Sequence, residues 1–375
     1  MKFKIDQKLL AKILTDVNRA IDPFSAIFVL RYLYFDVQEN QVVACGSDGT
    51  FSIKKTLVKK AGMLEIESFG FFIVLPNLFL NIVQKCSGMI EIEQKEQNLQ
   101  IHNNYDTYEI NLSLGLHEYI NNFNIDFELY GSQIKLNAQN FRNAIQDVAF
   151  AAATGRDDEY ILTGVNVKLE NQQLILTAAN SARLAQEIIP VNNDQNLFFD
   201  VTIQKSYIDN FIPSDINDDV TFYISEHKVA LTIEQMIVQA GIINAPYKDI
   251  SPVFRFQHNK KLKINKTVLA NAIGKATVIV GDSYNKIRLE INEEQISIVS
   301  IKNEVGNSKV ILKNNQFTYE GDPITITLNF KYLKEAISVF NDEIEINLAA
   351  PESIILIESK NKPNNKQIIS PMRSY

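Results

Sequence analysis

The stretch FKID at residues 3–6 occurs three times in this chain in closely similar form, as IKLN at residues 134–137 and as LKIN at residues 262–265. The lysine of the second stretch lies 131 residues after that of the first, and the lysine of the third lies 128 residues after that of the second. A repeat of this length is the size of a domain. We therefore predict three copies of one domain, not a solenoid of short repeats.

Each copy of this stretch predicts a strand that leads into a helix. Asp6, Asn137 and Asn265 occupy equivalent positions at the end of the strand, and Asp and Asn are favourable N-cap residues. Apolar residues then recur every three or four positions, which indicates one buried face of a helix. These helices are predicted over residues 7–20, 138–150 and 266–279.

A second helix is predicted later in each copy, where an aromatic residue is followed by apolar residues at helical spacing. These helices are expected over residues 76–86, 203–212 and 329–340. Runs that alternate apolar and polar residues surround them, as in MIEIE at residues 89–93, and predict strands. The sequence thus predicts an α+β fold of three repeated domains, 1–125, 126–253 and 254–375, each with two helices on antiparallel sheets.

Composition excludes several classes of protein. The 375 residues carry a net charge of −7, and no apolar run is long enough for a membrane span. The N-terminus lacks the pattern of a signal peptide. Cys45 and Cys86 are the only cysteines, which favours a reducing compartment over a disulfide framework. We expect a cytoplasmic protein with no membrane partner.

The charge is unevenly distributed along the sequence. The six predicted helices together carry +6, so the rest of the chain carries −13. Helices that share one face would make that face mildly basic, as expected of a weak, sequence-independent phosphate-binding surface. The basic residues that we assign to this DNA-facing surface are Lys8, Lys12, Arg19, Lys85, Arg142, Lys205, Lys275, Lys331 and Lys334.

The sequence gives no support for catalysis, a metal or a cofactor. No histidine among the four has a second metal ligand at a suitable spacing. The acidic run 157–159 is interpreted as a solvated turn. Residues 46–50, GSDGT, lack the Gly-Lys-Ser/Thr ending of a phosphate-binding loop. No nucleophile–base pair can be nominated, and the expected catalytic and metal-binding sets are empty.

Several stretches together resemble a known family. They are MKFKI at residues 1–5 and RAI at 19–21, ILTGV at 161–165, ARLA at 182–185, and IISPMR at 368–373. In this order, and with the threefold repeat, the chain resembles the bacterial DNA polymerase III β subunit, the replicative sliding clamp. The resemblance covers the whole length.

The resemblance implies a fold, a role and partners. Such clamps are head-to-tail homodimers that close into a ring of six domains around double-stranded DNA, with helices lining the hole. They are non-catalytic processivity factors of DNA replication, and they bind without regard to sequence. They tether the DNA polymerase catalytic subunit, the clamp loader and repair proteins through a short linear peptide.

The resemblance also implies a peptide-binding pocket between the second and third domains. By matching position, its residues here are Leu162, Arg183, Leu184, Pro246, Ile368, Ile369, Pro371, Met372 and Arg373. Arg183 and Arg373 are expected at the rim, and Pro371 is expected to fix the tail. Ala179-Asn180-Ser181-Ala182 and Ser370 depart from the family pattern, so the preferred peptide is expected to differ.

Ring closure is assigned to two surfaces by the same resemblance. Ile110 and Leu112 match the edge strand of the first domain, and Val278 and Ile279 match the partner surface of the third. An apolar edge strand is a liability unless it is paired. Two other classes remain open: a hydrolase or transferase on a threefold-duplicated scaffold, and a clamp-fold adaptor that does not close a ring.

Overall fold

The computed structural model describes residues 1–112, 125–155, 159–279, 285–300 and 306–373. The predicted turn residues Asp157 and Asp158, and most of the predicted boundary near residue 125, lie outside this part of the chain. The described chain forms two compact units, Met1–Gln139 with Asn210–Ile242, and Asn140–Asp209 with Ile243–Tyr375. The bounds of the three predicted domains stay a prediction.

Strands make up most of the regular structure. The first thirteen are β1 Lys2–Asp6, β2 Leu33–Val37, β3 Gln41–Ser47, β4 Phe51–Val58, β5 Leu64–Ser68, β6 Gly70–Val74, β7 Met89–Lys95, β8 Asn98–Asn103, β9 Asp106–Asn111, β10 Ser132–Asn137, β11 Gly164–Glu170, β12 Gln173–Ala179 and β13 Arg183–Pro190. The others are β14 Phe199–Gln204, β15 Asp219–Ile224, β16 Lys228–Ile233, β17 Met236–Gly241, β18 Lys260–Asn265, β19 Lys286–Ile291, β20 Gln295–Ser300, β21 Lys309–Lys313, β22 Phe317–Glu320, β23 Ile324–Asn329, β24 Glu343–Leu348, β25 Ile355–Ser359 and β26 Lys362–Ile369.

Each unit contains two antiparallel sheets. In the first unit the orders are β5-β1-β7-β8-β9 and β10-β15-β16-β17-β4-β3-β2-β6. In the second unit they are β14-β11-β12-β13-β26-β25-β24-β18-β22 and β21-β20-β19-β23. The two long sheets each combine strands of two predicted repeats, joined at β17–β4 and at β13–β26. This sharing explains why the chain divides into two units although the sequence repeats three times.

Six of the seven described α-helices begin within two residues of their predicted starts, and one, α5, was not predicted. They are α1 Gln7–Asn18, α2 Pro76–Lys85, α3 Ala138–Ala149, α4 Lys205–Ile208, α5 Ser251–Phe254, α6 Lys266–Ala276 and α7 Phe330–Ser338. Helix α4 is much shorter than the predicted 203–212. The nearby Pro213 disfavours a helical conformation in the residue before it, which limits how far the helix can extend.

The predicted N-caps Asp6 and Asn265 form direct hydrogen bonds to the first turn of their helices. The Asp6 side chain accepts from the backbone N–H groups of Lys8 and Leu9, at 3.0 and 3.2 Å. Asn265 accepts from Thr267 and Val268 in the same way. Asn137 donates its side-chain amide to Asn217 O at 3.3 Å. The caps of Asp6 and Asn265 satisfy backbone donors that the helix itself leaves unpaired.

The helices pack against the sheets by their apolar stripes. Leu10, Ile13 and Val17 of α1 are buried, and α1 packs on α2, β3 and β4. Leu269 and Ile273 of α6 are buried in the same way, against α7 and β20. The expected α+β fold of repeated helix pairs on antiparallel sheets is confirmed. Within the described ranges, no helix has the length and apolarity needed to cross a membrane.

Candidate functional site

Four apolar side chains form a row across neighbouring strands of the second unit. Ala179 of β12 lies opposite Leu184 of β13, Leu184 lies opposite Ile368 of β26, and Ile368 lies opposite Leu356 of β25. Residues paired in this way project from the same face of a sheet. This apolar row brings together strands of the second and third repeats.

The row is the centre of a small surface cluster. Ala179, Leu184 and Ile368 are buried, with at most 7% of each residue exposed. Partly buried residues pack around them: Leu162, Ile250, Val253, Phe254, Ile354 and Leu356. We call these nine residues the apolar cluster. Because six of its members keep exposed surface, a partner that covers the cluster would remove apolar area from water.

Three of the nine predicted pocket residues, Leu162, Leu184 and Ile368, belong to the apolar cluster. The sequence analysis assigned none of the other six members of the apolar cluster to the pocket. Leu356 and Ile354 could have been found from the register of the hairpin β25–β26, in which Leu356 lies opposite Ile368. Val253 and Phe254 come from α5, a one-turn helix that the sequence did not reveal.

Two predicted pocket residues lie on the opposite face of the sheet. Successive residues of a strand point to opposite faces, so Arg183 cannot share a face with Leu184, nor Ile369 with Ile368. Ile369 is fully buried in the core of the third repeat. It is therefore not part of the pocket wall, and the prediction is corrected at this position.

Arg183 is held on that same opposite face, not at a rim. Its guanidinium lies over the Tyr332 ring, 4.3 Å from the ring centre, and pairs with Glu335. It also donates to the carbonyl oxygen of Phe150 and lies 5.2 Å from the Phe150 ring centre. These contacts, with 9% of its side chain exposed, give Arg183 a structural role between α7 and the end of α3.

The C-terminal tail continues from β26 past the apolar row. The backbone N–H of Ser370 donates to Ala182 O, and that of Met372 donates to Thr327 O, both at 2.8 Å. Pro371 and Met372 are half-buried and Arg373 is exposed. Pro246 is also exposed, next to Tyr247. Their predicted roles in binding stay predictions.

Tyr247 is a further polar residue that the sequence did not assign to the site. Burial raises the pKa of its phenol, and the nearby Ala179 backbone opposes part of this shift. The Tyr247 Oη atom is buried near the Ala179 backbone, and no group among the described residues accepts a hydrogen bond from its hydroxyl. The Tyr247 hydroxyl thus lies near the Ala179 end of the apolar row with its donor unused.

The nine residues predicted to face DNA fall into two groups. Lys8, Lys85, Lys275, Lys331 and Lys334 are exposed and form no ion pair within the described residues. The others have partners or partial burial. Lys12 contacts Asp215 at 2.5 Å, and Lys205 pairs with Asp209. Arg142 is partly buried. The exposed lysines are the ones that can contact phosphate without first breaking an ion pair.

Arg19 and Lys12 belong to a charge network inside the first unit. Arg19 donates to the carbonyl oxygens of Asp16 and Asn210, and burial lowers its pKa. Asp16 is almost fully buried and pairs with Lys55, with Lys12 Nζ 3.6 Å away. The ion pair of Asp16 with Lys55 joins α1 to β4, and the predicted contact of Arg19 with DNA stays a prediction.

Within the ranges that the structure describes, the sheet register brings together a cluster of potential metal ligands that sequence spacing did not predict. His102 of β8 lies opposite Glu91 of β7, and their ligand atoms and that of Glu93 lie within 4.8 Å of one another. Both carboxylates already pair with lysines: Glu91 with Lys2 at 3.2 Å, and Glu93 with Lys95 at 3.2 Å. The paired lysines would compete with a cation for both carboxylates.

The surfaces predicted to close the ring lie near β9 and β21. Within the described chain, each of these strands has a neighbouring strand on one side only. Ile110 lies on β9, the last strand of its sheet, and Leu112 follows that strand. Val278 is 79% exposed just after α6. Ile279 lies beside Gly306, which precedes the edge strand β21. Ile110, Leu112 and Ile279 thus lie at or near one of these two sheet edges.

The same architecture is found in solved sliding clamps. The fold matches that of the DNA polymerase sliding clamp from Bacillus subtilis with a TM-score of 0.91 and 24% identity over all of both chains. It matches the DNA polymerase III beta chain from Streptococcus pneumoniae equally well, with a TM-score of 0.91 and 22% identity over all of both chains. The fold class is therefore that of the DNA clamp.

Sequence comparison identifies the family. Models of the N-terminal, central and C-terminal domains of the DNA polymerase III beta subunit match residues 1–119, 135–249 and 252–373. The beta sliding clamp of Mycoplasmopsis pulmonis is 28% identical, and that of Staphylococcus epidermidis is 25% identical, each over the full length of both chains. The chain belongs to the DNA polymerase III beta subunit family.

Proposed function

We propose that this protein is a DNA sliding clamp: two copies close into a ring around duplex DNA, and the ring tethers the replicative polymerase and other DNA-processing proteins. The family match along the whole chain supports this role. Retention on DNA comes from topology, so the role needs neither catalysis nor tight binding. No observation favours the adaptor or the hydrolase alternative.

The single observation that best supports a closed ring is the pairing of strands from neighbouring repeats at two places in the chain, which we call joints. At one joint β4 pairs with β17, and at the other β13 pairs with β26, each over five residue pairs. The strand of the third repeat that corresponds to β4 and β13 is β21, and the strand of the first repeat that corresponds to β17 and β26 is β9. Both are sheet edges.

A second copy supplies the missing neighbour for each edge. If β21 of one copy pairs with β9 of the other as the internal joints pair, each contact repeats a joint that the chain already contains. Two such contacts close a head-to-tail dimer of six equivalent parts. The strands carry opposite charges that favour this pairing: Asp106 and Glu109 on β9, Lys309 and Lys313 on β21.

We take the register of this contact from the joint between β4 and β17, because in the joint between β13 and β26 Glu187 lies opposite Asn365, three residues after the start of β26. Hairpins β3–β4, β12–β13 and β20–β21 begin at equivalent glutamines, which makes Val310 equivalent to Lys55 and Glu187. Because Lys55 lies opposite Met236, and Met236 corresponds to Asp106, we infer that Val310 lies opposite Asp106 of the second copy. Lys309 then lies opposite Thr107 and diagonal to Glu109.

Two further surfaces complete the proposal. The exposed lysines Lys8, Lys85, Lys275, Lys331 and Lys334 are assigned to weak, sequence-independent contact with the phosphates of the encircled DNA. The apolar cluster is assigned to partner proteins, which would insert the apolar anchors of a short linear peptide. The cytoplasm is the compartment in which these partners act.

Retention on circular DNA tests this function. The chain is loaded by a clamp loader and ATP onto nicked circular DNA, and bound protein is measured after gel filtration at moderate salt. We expect retention on the circle and release after the circle is cut, because a closed ring can leave only over an end. Equal release from circular and linear DNA, or a monomeric mass at every concentration, would support the adaptor instead.

A further inference from the structure

A lysine borders the apolar cluster on its own face of the sheet. Lys366 lies two residues before Ile368 on β26, so the two side chains project from the same face. Its Nζ atom lies 5.6 Å from the centre of the Phe254 ring, and Phe254 belongs to the apolar cluster. Gln186 lies opposite Lys366 on β13, beside Leu184. A cationic and a polar side chain therefore follow the apolar row.

Lys366 differs from its neighbours in having no carboxylate partner within the described residues. Lys362, on the same strand, pairs with Asp147. Glu358, two residues after Leu356, accepts from Asn347 Nδ2 at 3.0 Å. The ammonium of Lys366 is held over an aromatic ring, which attracts it through the ring quadrupole but fills none of its three hydrogen-bond donors.

If a partner protein covered the apolar cluster, the unpaired charge of Lys366 would become unfavourable. A peptide seated on the apolar cluster would displace water from Lys366, and an ammonium that loses water without gaining an anion costs free energy. A carboxylate placed against Lys366 reverses this effect, because a charge-assisted hydrogen bond replaces the missing solvation. Gln186 Nε2, which makes only a 3.4 Å contact with Thr177 Oγ1, can donate to the same carboxylate.

We propose that Lys366, assisted by Gln186, selects partner peptides that carry an aspartate or glutamate next to their apolar anchors. The occupant is a linear peptide segment of another protein, and the choice rests on the charge complementarity of an unpaired cation beside an apolar surface. The inference depends on the proposed role of the apolar cluster in peptide binding. It adds a specificity-determining residue outside the positions that the sequence assigned to the pocket.

The test is an aspartate scan of a fluorescent peptide with leucine and phenylalanine anchors. Each position outside the anchors is replaced in turn by Asp or by Asn, and the dissociation constants are measured by anisotropy with the full-length protein. We expect one or two positions at which Asp binds about five- to tenfold more tightly than Asn. The preference is expected to shrink as salt rises.

Variants of the protein test whether Lys366 causes the preference for Asp over Asn in the peptide. Lys366→Gln is expected to abolish the difference between Asp and Asn while the Asn peptide keeps its affinity within about twofold. Lys366→Arg should retain the difference. Lys360→Gln removes the same charge from an exposed lysine at the turn between β25 and β26, and should leave the preference intact.

The possible failures are distinguishable. Peptides that bind with equal affinity whether they carry Asp or Asn at every position would overturn the selectivity of Lys366 and leave the peptide-binding function standing. A preference that survives in Lys366→Gln would assign it to another cation. Absence of binding by any peptide of the scan, with the protein folded, would overturn the proposed role of the apolar cluster itself.

Discussion

Leu184 and Ile368 lie directly opposite each other on neighbouring antiparallel strands, although they belong to different repeats of the sequence. Both are buried, and their side chains form the centre of the apolar cluster. Neither repeat could build this surface alone, because each supplies only half of the apolar row. The proposed partner-binding surface therefore depends on the joint between β13 and β26.

Leu162→Ala is expected to weaken peptide binding by about five- to thirtyfold, since truncation of an important apolar contact residue costs about 1–2 kcal/mol. Leu162 packs on the cluster while remaining partly exposed, so the fold should tolerate the change. Anisotropy titration measures the effect. Leu78→Ala, on the exposed side of α2, is the matched control and should bind as the original chain does. Equal affinities for the two variants would remove Leu162 from the site.

Breaking the buried pair of Asp16 and Lys55 is expected to destabilise the first unit by about 3 kcal/mol, because Lys55→Met leaves a buried carboxylate with Lys12 alone. Urea unfolding measures the decrease in stability. The double variant with Asp16→Asn removes the orphaned charge, and should recover part of the stability. If the double variant is no more stable than Lys55→Met, the decrease comes from packing and not from charge.

Glu187→Gln tests the pH dependence of the second unit. Burial raises the pKa of the Glu187 carboxyl, and the Asn365 side-chain amide, which donates to it at 2.6 Å, opposes the shift. The folded state thus binds this proton more tightly than the unfolded state does. The resulting stability is fully present below the unfolded pKa and is lost as the pH rises through the folded pKa.

The glutamine variant should therefore be more stable than the original chain at neutral pH, by about 1 kcal/mol, and equal to it in acid. Urea midpoints measured at several pH values provide the comparison. Glu320→Gln, at an exposed position on β22, controls for the removal of one negative charge. A variant less stable at neutral pH would mean that attraction between Glu187 and Lys362 outweighs the cost of burial.

Cysteines placed on the two sheet edges test the inferred register. In a chain with Cys45 and Cys86 replaced by alanine, Thr107→Cys with Lys309→Cys should form intermolecular disulfides on mild oxidation, because directly opposed residues on paired strands lie within bonding distance. Non-reducing gels report the linked dimer. Thr107→Cys with Val310→Cys, one residue out of register and on the other face, should link poorly. If the pair Thr107→Cys with Val310→Cys links well and the other pair links poorly, the true register differs from the inferred one by one residue.

The exposed helix lysines are expected to control DNA affinity. Lys331→Glu with Lys334→Glu should weaken binding to a short duplex at low salt. The slope of log K against log salt should fall by about one for each phosphate that the variant no longer neutralises. The same change at Lys59 and Lys60, exposed residues outside the helices, is the matched control. If both variants bind DNA equally weakly, the effect is one of net charge and not of a helix-lined surface.

The local features of the fold could be predicted from sequence, whereas the details of the site could not. Asp6 and Asn265 cap helices through neighbours two or three residues away, so the signal lies within one short stretch. Leu356 and Phe254 join the apolar cluster through strand register and chain reversal, which no local pattern encodes. The positions of Arg183 and Ile369 are different: the alternation of a strand already implied that adjacent residues could not share one face.

The sharing of sheets between repeats limits how the chain can be divided. A fragment cut at the end of the second repeat would expose β26 of the third as a new sheet edge, in addition to the existing edge β21. Bare edges that fit each other in a head-to-tail sense invite assembly of many copies. By linking three repeats in one chain, the protein makes two of every three joints permanent. Opening or closing the proposed ring then involves only the remaining joint in each copy.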